Sequence, residues 1–353
     1  MRGARRRISA TAVALVMVAG AIALIPGSPA NATDRSIPRM DRNADGRGDF
    51  GLLRMTSATS YTTFWRNFSN FATDPPFGDP SLGDIPIAGD FDGDGINDPA
   101  VVRPGAAYQW VILLSTTGFT VAESTAFGSD NGGGAANDDV PLTGDIDGDG
   151  RTDFFVFRPG TPARWFVLSR AGGFGQVAFG DTGSVPNDDA PALGDLDGDG
   201  RSDLIIRRTA GNGSSFFHIR FATGAFSSVN FGNTADPYVA GDFDGDGIGD
   251  ITVVQTLGNG DYLWVILRSL GGVVTFRFGN AGPGDVLVQN DYDGNGFTDI
   301  AVWRPGATGT LFIQPVPFGP VSAPPFGTVG DIPLLQCFNG YQNLQSIGVG
   351  PCT

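Results

Sequence analysis

The sequence predicts an all-β protein, a β-propeller built from four-stranded blades. Three observations predict it. A nine-residue aspartate-rich pattern recurs six times, with starts 49, 55, 50, 47 and 49 residues apart. A period of that size without helical patterning suits a propeller blade better than a helical solenoid. The stretches between copies read as short apolar strands closed by Pro-Gly or Phe-Gly. The composition also opposes helices: 54 Gly and 24 Pro punctuate 353 residues, which favours short elements and tight turns. Glu123 is the only glutamate among 37 acidic residues, and all 22 basic residues are arginine, whereas helix surfaces ordinarily draw on Glu and Lys. With 41% hydrophobic and 17% charged residues, the chain can bury a core.

Residues 1–32 read as a secretory signal peptide. Arg2, Arg5, Arg6 and Arg7 precede an uncharged apolar run from Ile8 to Ile25, and Ala30-Asn31-Ala32 supplies a small-x-small cleavage site. The expected protein is secreted, with no membrane attachment after cleavage. Loss of those four arginines leaves 18 Arg against 37 acids, a net charge of 18 − 37 = −19. That excess excludes electrostatically driven binding to nucleic acid.

Residues 33–353 are expected to form a single domain of repeated units. In the second unit, Ile85-Pro86-Ile87-Ala88-Gly89 is the first strand and Pro99 to Arg103 the second, stopped by Pro104-Gly105. Tyr108 to Leu114 is the third, and the fourth ends at Phe127-Gly128. Phe-Gly recurs at 77–78, 127–128, 179–180, 231–232, 278–279 and 318–319. Several of these strands are apolar throughout rather than alternating, as expected where both faces are covered by neighbours.

The recurring pattern, or box, carries the chemistry. Acids at positions 1, 3 and 5 converge when the chain wraps tightly, Gly at position 6 permits the turn, and the position-7 carbonyl adds an oxygen. A further acid stands at position 9. The candidate Ca²⁺ ligands are Asp41, Asn43, Asp45 and Asp49 in the first box, and Asp90, Asp92, Asp94, Ile96 and Asp98 in the second. The third offers Asp145, Asp147, Asp149, Arg151 and Asp153, and the fourth Asp195, Asp197, Asp199, Arg201 and Asp203. The fifth offers Asp242, Asp244, Asp246, Ile248 and Asp250, and the sixth Asp291, Asp293, Asn295, Phe297 and Asp299. The position-7 residues contribute only their carbonyls. Uncompensated, such clusters repel themselves; six Ca²⁺ would move the charge from −19 to −7 by adding +12. Asn43 and Asn295 lower the charge of the first and sixth boxes, which are expected to bind more weakly.

These boxes, the Asp-x-Ala-Val-like strand after them, the Arg-Pro-Gly stop and the Phe-Gly element resemble the FG-GAP/VCBS repeat family, calcium-loop propellers related to the head of integrin α subunits. The resemblance covers about residues 36–353 and implies a propeller with the box between the first and second strands of each blade. Relatives of this kind include lectins and adhesion modules, and a few are parts of lyases.

Near the C-terminus, Gly330-Asp331-Ile332-Pro333-Leu334 copies Gly83-Asp84-Ile85-Pro86-Ile87. Residues 331–353 are therefore expected to form a degenerate seventh unit, giving a seven-bladed ring with an incomplete last blade; the alternative is a six-bladed ring with a C-terminal extension. This unit has lost its carboxylates. Cys337 and Cys352 flank the decayed loop, and in a secreted chain two cysteines predict a disulfide.

The catalytic inventory is thin. His218 is the only histidine and lies in an apolar strand, no Gly-x-Ser-x-Gly elbow occurs, and no lysine is available. The expectation is a monomeric, non-enzymatic binding or adhesion module for an extracellular glycan or surface protein. A hydrolase or lyase acting on polysaccharide and a purely structural domain are the alternatives. Two features recur with the scaffold. Arg54, Arg103, Arg158, Arg208 and Arg304 stand five residues after the box, with Gln255 in the fifth unit; strand-end ion pairs are their expected role. Trp65, Trp110, Trp165 and Trp264 fall on third strands, where they form blade core or stack on sugar rings.

Overall fold

The computed structural model describes residues 40–67, 70–130, 138–182 and 189–334. Residues 1–32, read above as a signal peptide, and both cysteines lie outside them. Blade one holds β1 (Phe50–Ser57), β2 (Ser60–Arg66) and β3 (Phe71–Thr73); blade two holds β4 (Ile85–Gly89), β5 (Asp98–Arg103), β6 (Gln109–Leu113) and β7 (Ala122–Ala126). Blade three is β8 (Val140–Gly144), β9 (Asp153–Arg158), β10 (Arg164–Leu168) and β11 (Phe174–Ala178). Blade four is β12 (Ala190–Gly194), β13 (Asp203–Thr209), β14 (Ser214–Arg220) and β15 (Phe226–Asn233). Blade five is β16 (Tyr238–Gly241), β17 (Asp250–Thr256), β18 (Asp261–Leu267) and β19 (Val273–Asn280). Blade six is β20 (Val286–Leu287), β21 (Ile300–Arg304) and β22 (Thr310–Gln314), and β23 (Ile332–Pro333) follows. All pairings within the sheets are antiparallel between neighbours, in meander order.

The ring has six blades, which corrects the seven-bladed expectation. β23 pairs with β1, matching Leu52 to Pro333 and Leu53 to Ile332, and the Leu334 N–H donates to the Gly51 carbonyl at 2.9 Å. The segment that copies Gly83–Ile87 is thus the first strand of blade one. Arg54 grips Asp331 through Nε at 2.6 Å and Nη2 at 2.7 Å, the contact that Arg103 makes to Asp84 within blade two.

Burial grades across each blade. Second strands such as β5 and β9 are buried along nearly their whole length, third strands alternate, and fourth strands such as β7 expose every other residue. Inner strands lie between two neighbouring blades, while outer strands face solvent. The apolar clusters accordingly straddle blade junctions: Phe155, Phe157 and Trp165 of blade three pack with Leu193, Leu204 and Ile206 of blade four. The last cluster joins Phe50 and Leu52 of blade one to Trp303 and Leu311 of blade six, closing the circle.

Blade six lacks a regular fourth strand among the described residues; only the bridges Thr310 to Pro325 and Ile313 to Ser322 stand in its place. Pro315, Pro317, Pro320, Pro324 and Pro325 crowd this stretch, and proline has no N–H to give a ladder. The sixth Phe-Gly is also displaced from the expected 318–319. Phe318 is exposed, whereas Phe326 is buried and its carbonyl accepts the Trp303 indole N–H at 2.8 Å. The Trp110, Trp165 and Trp264 indoles likewise reach Phe127, Phe179 and Phe278.

Candidate metal centres

Each box is wound around its first aspartate. In blade two, Asp90 Oδ1 accepts the Gly93 N–H at 2.7 Å and Oδ2 accepts the Gly95 N–H at 2.8 Å. Gly95 has φ +84°, left-handed backbone that glycine adopts without a Cβ penalty, which is why position 6 is glycine. Asp94 Oδ1 accepts the Ile96 N–H at 2.9 Å, and the same bond recurs from Arg151 to Asp149, Arg201 to Asp199, Ile248 to Asp246 and Phe297 to Asn295. These bonds turn the carboxylates toward one another. Ligand oxygens lie within 4.8 Å of one another in Asp90/Asp92/Asp94, Asp195/Asp197/Asp199 and Asp242/Asp244/Asp246. In the third and sixth boxes the close trios are Asp145/Asp147/Asp153 and Asp291/Asp293/Asp299. The first box differs: Asn43 Nδ2 donates to Asp45 Oδ2 at 3.1 Å, so its amide faces the cluster.

The position-9 aspartates have a second duty. Asp98 Oδ2 accepts the Phe91 N–H at 2.8 Å and Oδ1 accepts the Ser115 N–H at 2.7 Å. Asp153, Asp203, Asp250 and Asp299 bridge in the same way to Arg170, Ala222, Ser269 and Val316. They tie the box to the outer hairpin. Burial raises their carboxyls, and the neighbouring box acids push further: Asp49, Asp98, Asp250 and Asp299 to about 7, Asp153 to about 6 and Asp203 to about 8. Asp195 is lifted to about 7 by the same causes.

Two further links are not visible in the box pattern. Hydroxyls of the outer hairpins reach the box acids, from Ser115 to Asp94 at 2.9 Å, Ser169 to Asp147 at 2.7 Å and Ser269 to Asp246 at 2.7 Å. The boxes are also joined in a circle. The position-8 N–H of each donates to the position-1 carbonyl of the box before it: Asn97 to Asp41, Thr152 to Asp90, Ser202 to Asp145, Gly249 to Asp195, Thr298 to Asp242 and, across the closure, Gly48 to Asp291. The approach is tight. A Cβ on Gly89 would meet the Thr152 side chain at 2.5 Å, and one on Gly144 the Ser202 hydroxyl at 2.5 Å. At the closure the sizes are exchanged, with Asn290 before the box and Gly48 at position 8.

The chemistry of the donor set fits a hard divalent cation. The oxygens are carboxylates, and their desolvated neighbours are driven to take up either a proton or positive charge. Both carboxylate oxygens of Asp244 are shielded from solvent without a well-formed hydrogen bond; the Leu270 amide is nearby, and burial raises the carboxyl.

The other expected features are placed as follows. Trp65, Trp110, Trp165 and Trp264 are each 0% exposed, so none offers a face for a sugar; they are blade core, because the neighbouring blade covers them. The repeated arginines form intrablade pairs, Arg158 with Asp139, Arg208 with Asp189 and Arg304 with Asp285, and Gln255 bonds Asp236. Each aspartate also accepts the N–H that follows its Phe-Gly, as Asp139 does from Ser129, so these non-box acids are structural staples at the blade crossovers. His218 is half-buried between the Phe216 and Phe226 rings, with Nδ1 3.0 Å from the Ser228 hydroxyl. Its pKa is lowered by burial and by Arg208.

Residues 145–206 match the family described as FG-GAP-like repeat. No curated protein matches the chain in sequence. Among solved structures, a triple-arginine mutant of AofleA from Arthrobotrys oligospora superposes with TM-score 0.54 at 12% identity, covering 82% of this chain and 86% of that one. A mutant of the Aleuria aurantia lectin in complex with alpha-methyl-L-fucoside gives TM-score 0.52 at 12% identity, over 81% and 93%. Both are similar in fold.

Proposed function

We propose that the chain, a six-bladed propeller whose residues 145–206 match the FG-GAP-like repeat, is a secreted, calcium-stabilised binding module for extracellular carbohydrate. The observation that carries the calcium reading is the set of five acid trios with oxygens within 4.8 Å, repeated at one position of the scaffold. Positions 1, 3 and 5 hold the ion, with the position-7 carbonyls of Ile96, Arg151, Arg201, Ile248 and Phe297 and the position-9 acids completing the donors. Bound Ca²⁺ supplies the positive charge that lets these carboxylates stay ionised in a desolvated loop. Calcium stiffens the blades, since the boxes sit at regular structural positions.

Support for carbohydrate comes from the fold shared with the Aleuria aurantia lectin, which carries a fucoside in its structure. The non-box acids at the crossovers are held by arginine or glutamine, which disfavours the alternative of a carboxylate pair free for glycoside hydrolysis. The test is metal analysis of the purified chain followed by a glycan array with Ca²⁺ and with chelator. Bound calcium and a defined set of glycans are expected. A metal-free protein that melts identically in chelator refutes the ion, and a blank array refutes the ligand class.

A further inference from the structure

We propose that the groove between blades three and four binds a carboxylate-bearing saccharide, and that it is open because this junction lacks the side chains that plug the one before it. The proposal rests on the carbohydrate-binding reading above and names the sugar class.

Between blades two and three, Arg170 crosses the gap. Its Nη1 and Nη2 grip the two oxygens of Glu123 on β7 at 2.7 and 3.0 Å, and Nε donates to the Phe91 carbonyl at 2.9 Å. The repeat fixes the counterparts at the next junction. Arg170 and Ala222 both give their backbone N–H to the position-9 aspartate of their own blade, Asp153 and Asp203. Glu123 pairs with Ile112 and Gly175 with Val167, and Ile112 and Val167 each stand two residues after a buried tryptophan. The cation and the anion of the plug are therefore replaced by alanine and glycine. A cavity of about 400 Å³ lies there, lined by both, within the size range of small-molecule sites.

The lining selects the ligand. Blade four places Arg220 where blades two, three and five place Leu113, Leu168 and Leu267, three residues after the buried aromatic of the third strand. Arg220 lines the cavity, is half-buried, and forms no ion pair among the described residues. A partly desolvated guanidinium beside apolar walls favours a carboxylate held by two hydrogen bonds. On the blade-three wall, Gly175 and Val177 share the face of Val167 and Trp165 toward blade four, offering an apolar surface to the C–H face of a sugar. Ser202 adds a hydroxyl, which also accepts the Asp145 N–H at 3.0 Å. Asp147 is the one acid in the lining; its Oδ2 accepts from Ser169, and it belongs to the third box, where bound Ca²⁺ would offset its charge.

The experiment titrates the full chain, in calcium, with glucuronic acid and with glucose, and repeats both with Arg220→Gln and with the double variant Gly175→Glu/Ala222→Arg. A Cβ at position 175 meets nothing within 4 Å, so a side chain can start there, and the melting temperature of the double variant is measured alongside. Glucuronic acid is expected to saturate the wild type and to bind at least tenfold more weakly to Arg220→Gln, with glucose unchanged. The double variant is expected to lose glucuronic acid while melting at or above the wild-type temperature. If the wild type binds glycans on the array, yet neither prefers glucuronic acid nor responds to the plug, the groove is refuted and the general reading stands. A wild type that binds no glycan at all overturns both.

Discussion

Ring closure by β23 gives a prediction whose size follows from the contacts. Leu334 is 2% exposed and packs with Met40, Leu53, Trp65 and Ala88, under a Gly51 whose added Cβ would meet Leu334 Cδ1 at 2.8 Å. Truncating a buried leucine to alanine costs about 2–5 kcal/mol, and about 3 is expected at this tightly enclosed site. In the Arg54–Asp331 pair the guanidinium side chain is 36% exposed and the carboxylate 1%. Asp331→Ala frees Arg54 to turn to water, and screening holds the loss to about 1 kcal/mol. Arg54→Ala is worse, because it strands a buried carboxylate, and should cost about 2–3 kcal/mol. At about 2 °C per kcal/mol for a domain of this size, Leu334→Ala/Asp331→Ala should melt about 8 °C below wild type by calorimetry in saturating Ca²⁺. Asp84→Ala, which removes the matching pair and the Asp79 N–H bond inside blade two, isolates the aspartate's part from that of Leu334. If the double variant melts within a degree of the wild type, the strand does not close the ring.

Chelation should lower the melting temperature by many degrees and restore it on adding Ca²⁺, followed by scanning calorimetry; equal melts would show that the boxes hold without an ion. In chelator, stability should fall as pH rises from about 4 to about 8. Asp98, Asp203 and Asp250 are raised in the folded chain to about 7, 8 and 7 from 3.8, so the folded state carries more protons than the unfolded one across that window and loses favour as they leave. Saturating Ca²⁺ should flatten this slope, and a melting curve in chelator that rises with pH would contradict the assignment. Trp165→Ala should cost about 3–5 kcal/mol without altering glycan binding, whereas a variant that folds normally and loses binding would return Trp165 to a ligand role.

Much of this architecture was legible because its determinants are local. The box specifies its own turn through Asp90 and Gly95, and the strand boundaries expected around Ile85–Gly89 and Arg103 coincide with β4 and the end of β5. What was not legible depends on partners distant in the chain. Gly330 to Leu334 carries the same pattern whether it opens a seventh blade or completes the first, and only its pairing with Leu52 and Leu53 decides. Phe318-Gly319 and Phe326-Gly327 are equivalent as dipeptides; the reach of the Trp303 indole selects the second. Trp110 could have been a face or a core residue until Phe154 of the next blade was seen to cover it at 5.0 Å. The open groove required comparing Arg170 and Glu123 with Ala222 and Gly175, residues whose correspondence emerges from hydrogen bonds and register rather than from similarity of type.

The circle of backbone bonds between boxes changes what a bound ion would stabilise. An isolated calcium loop gains only the order of its own turn. Here the first residue of each box holds its side chain over its own glycines and offers its carbonyl to the next box, as Asp145 does to Ser202. An ion that fixes the Asp145 carboxylate therefore also fixes the peptide on which blade four hangs, and the position-9 bridge from Asp153 to Arg170 carries the same constraint outward to the hairpin that plugs the preceding junction. Repulsion among the box acids acts through the same bonds in the opposite direction, loosening two neighbours for every box left without positive charge. With the last link, Gly48 to Asp291, the circle has no free end. Metal binding and blade cohesion would thus be one process, in a chain that keeps its acids in the loops where burial makes them most costly.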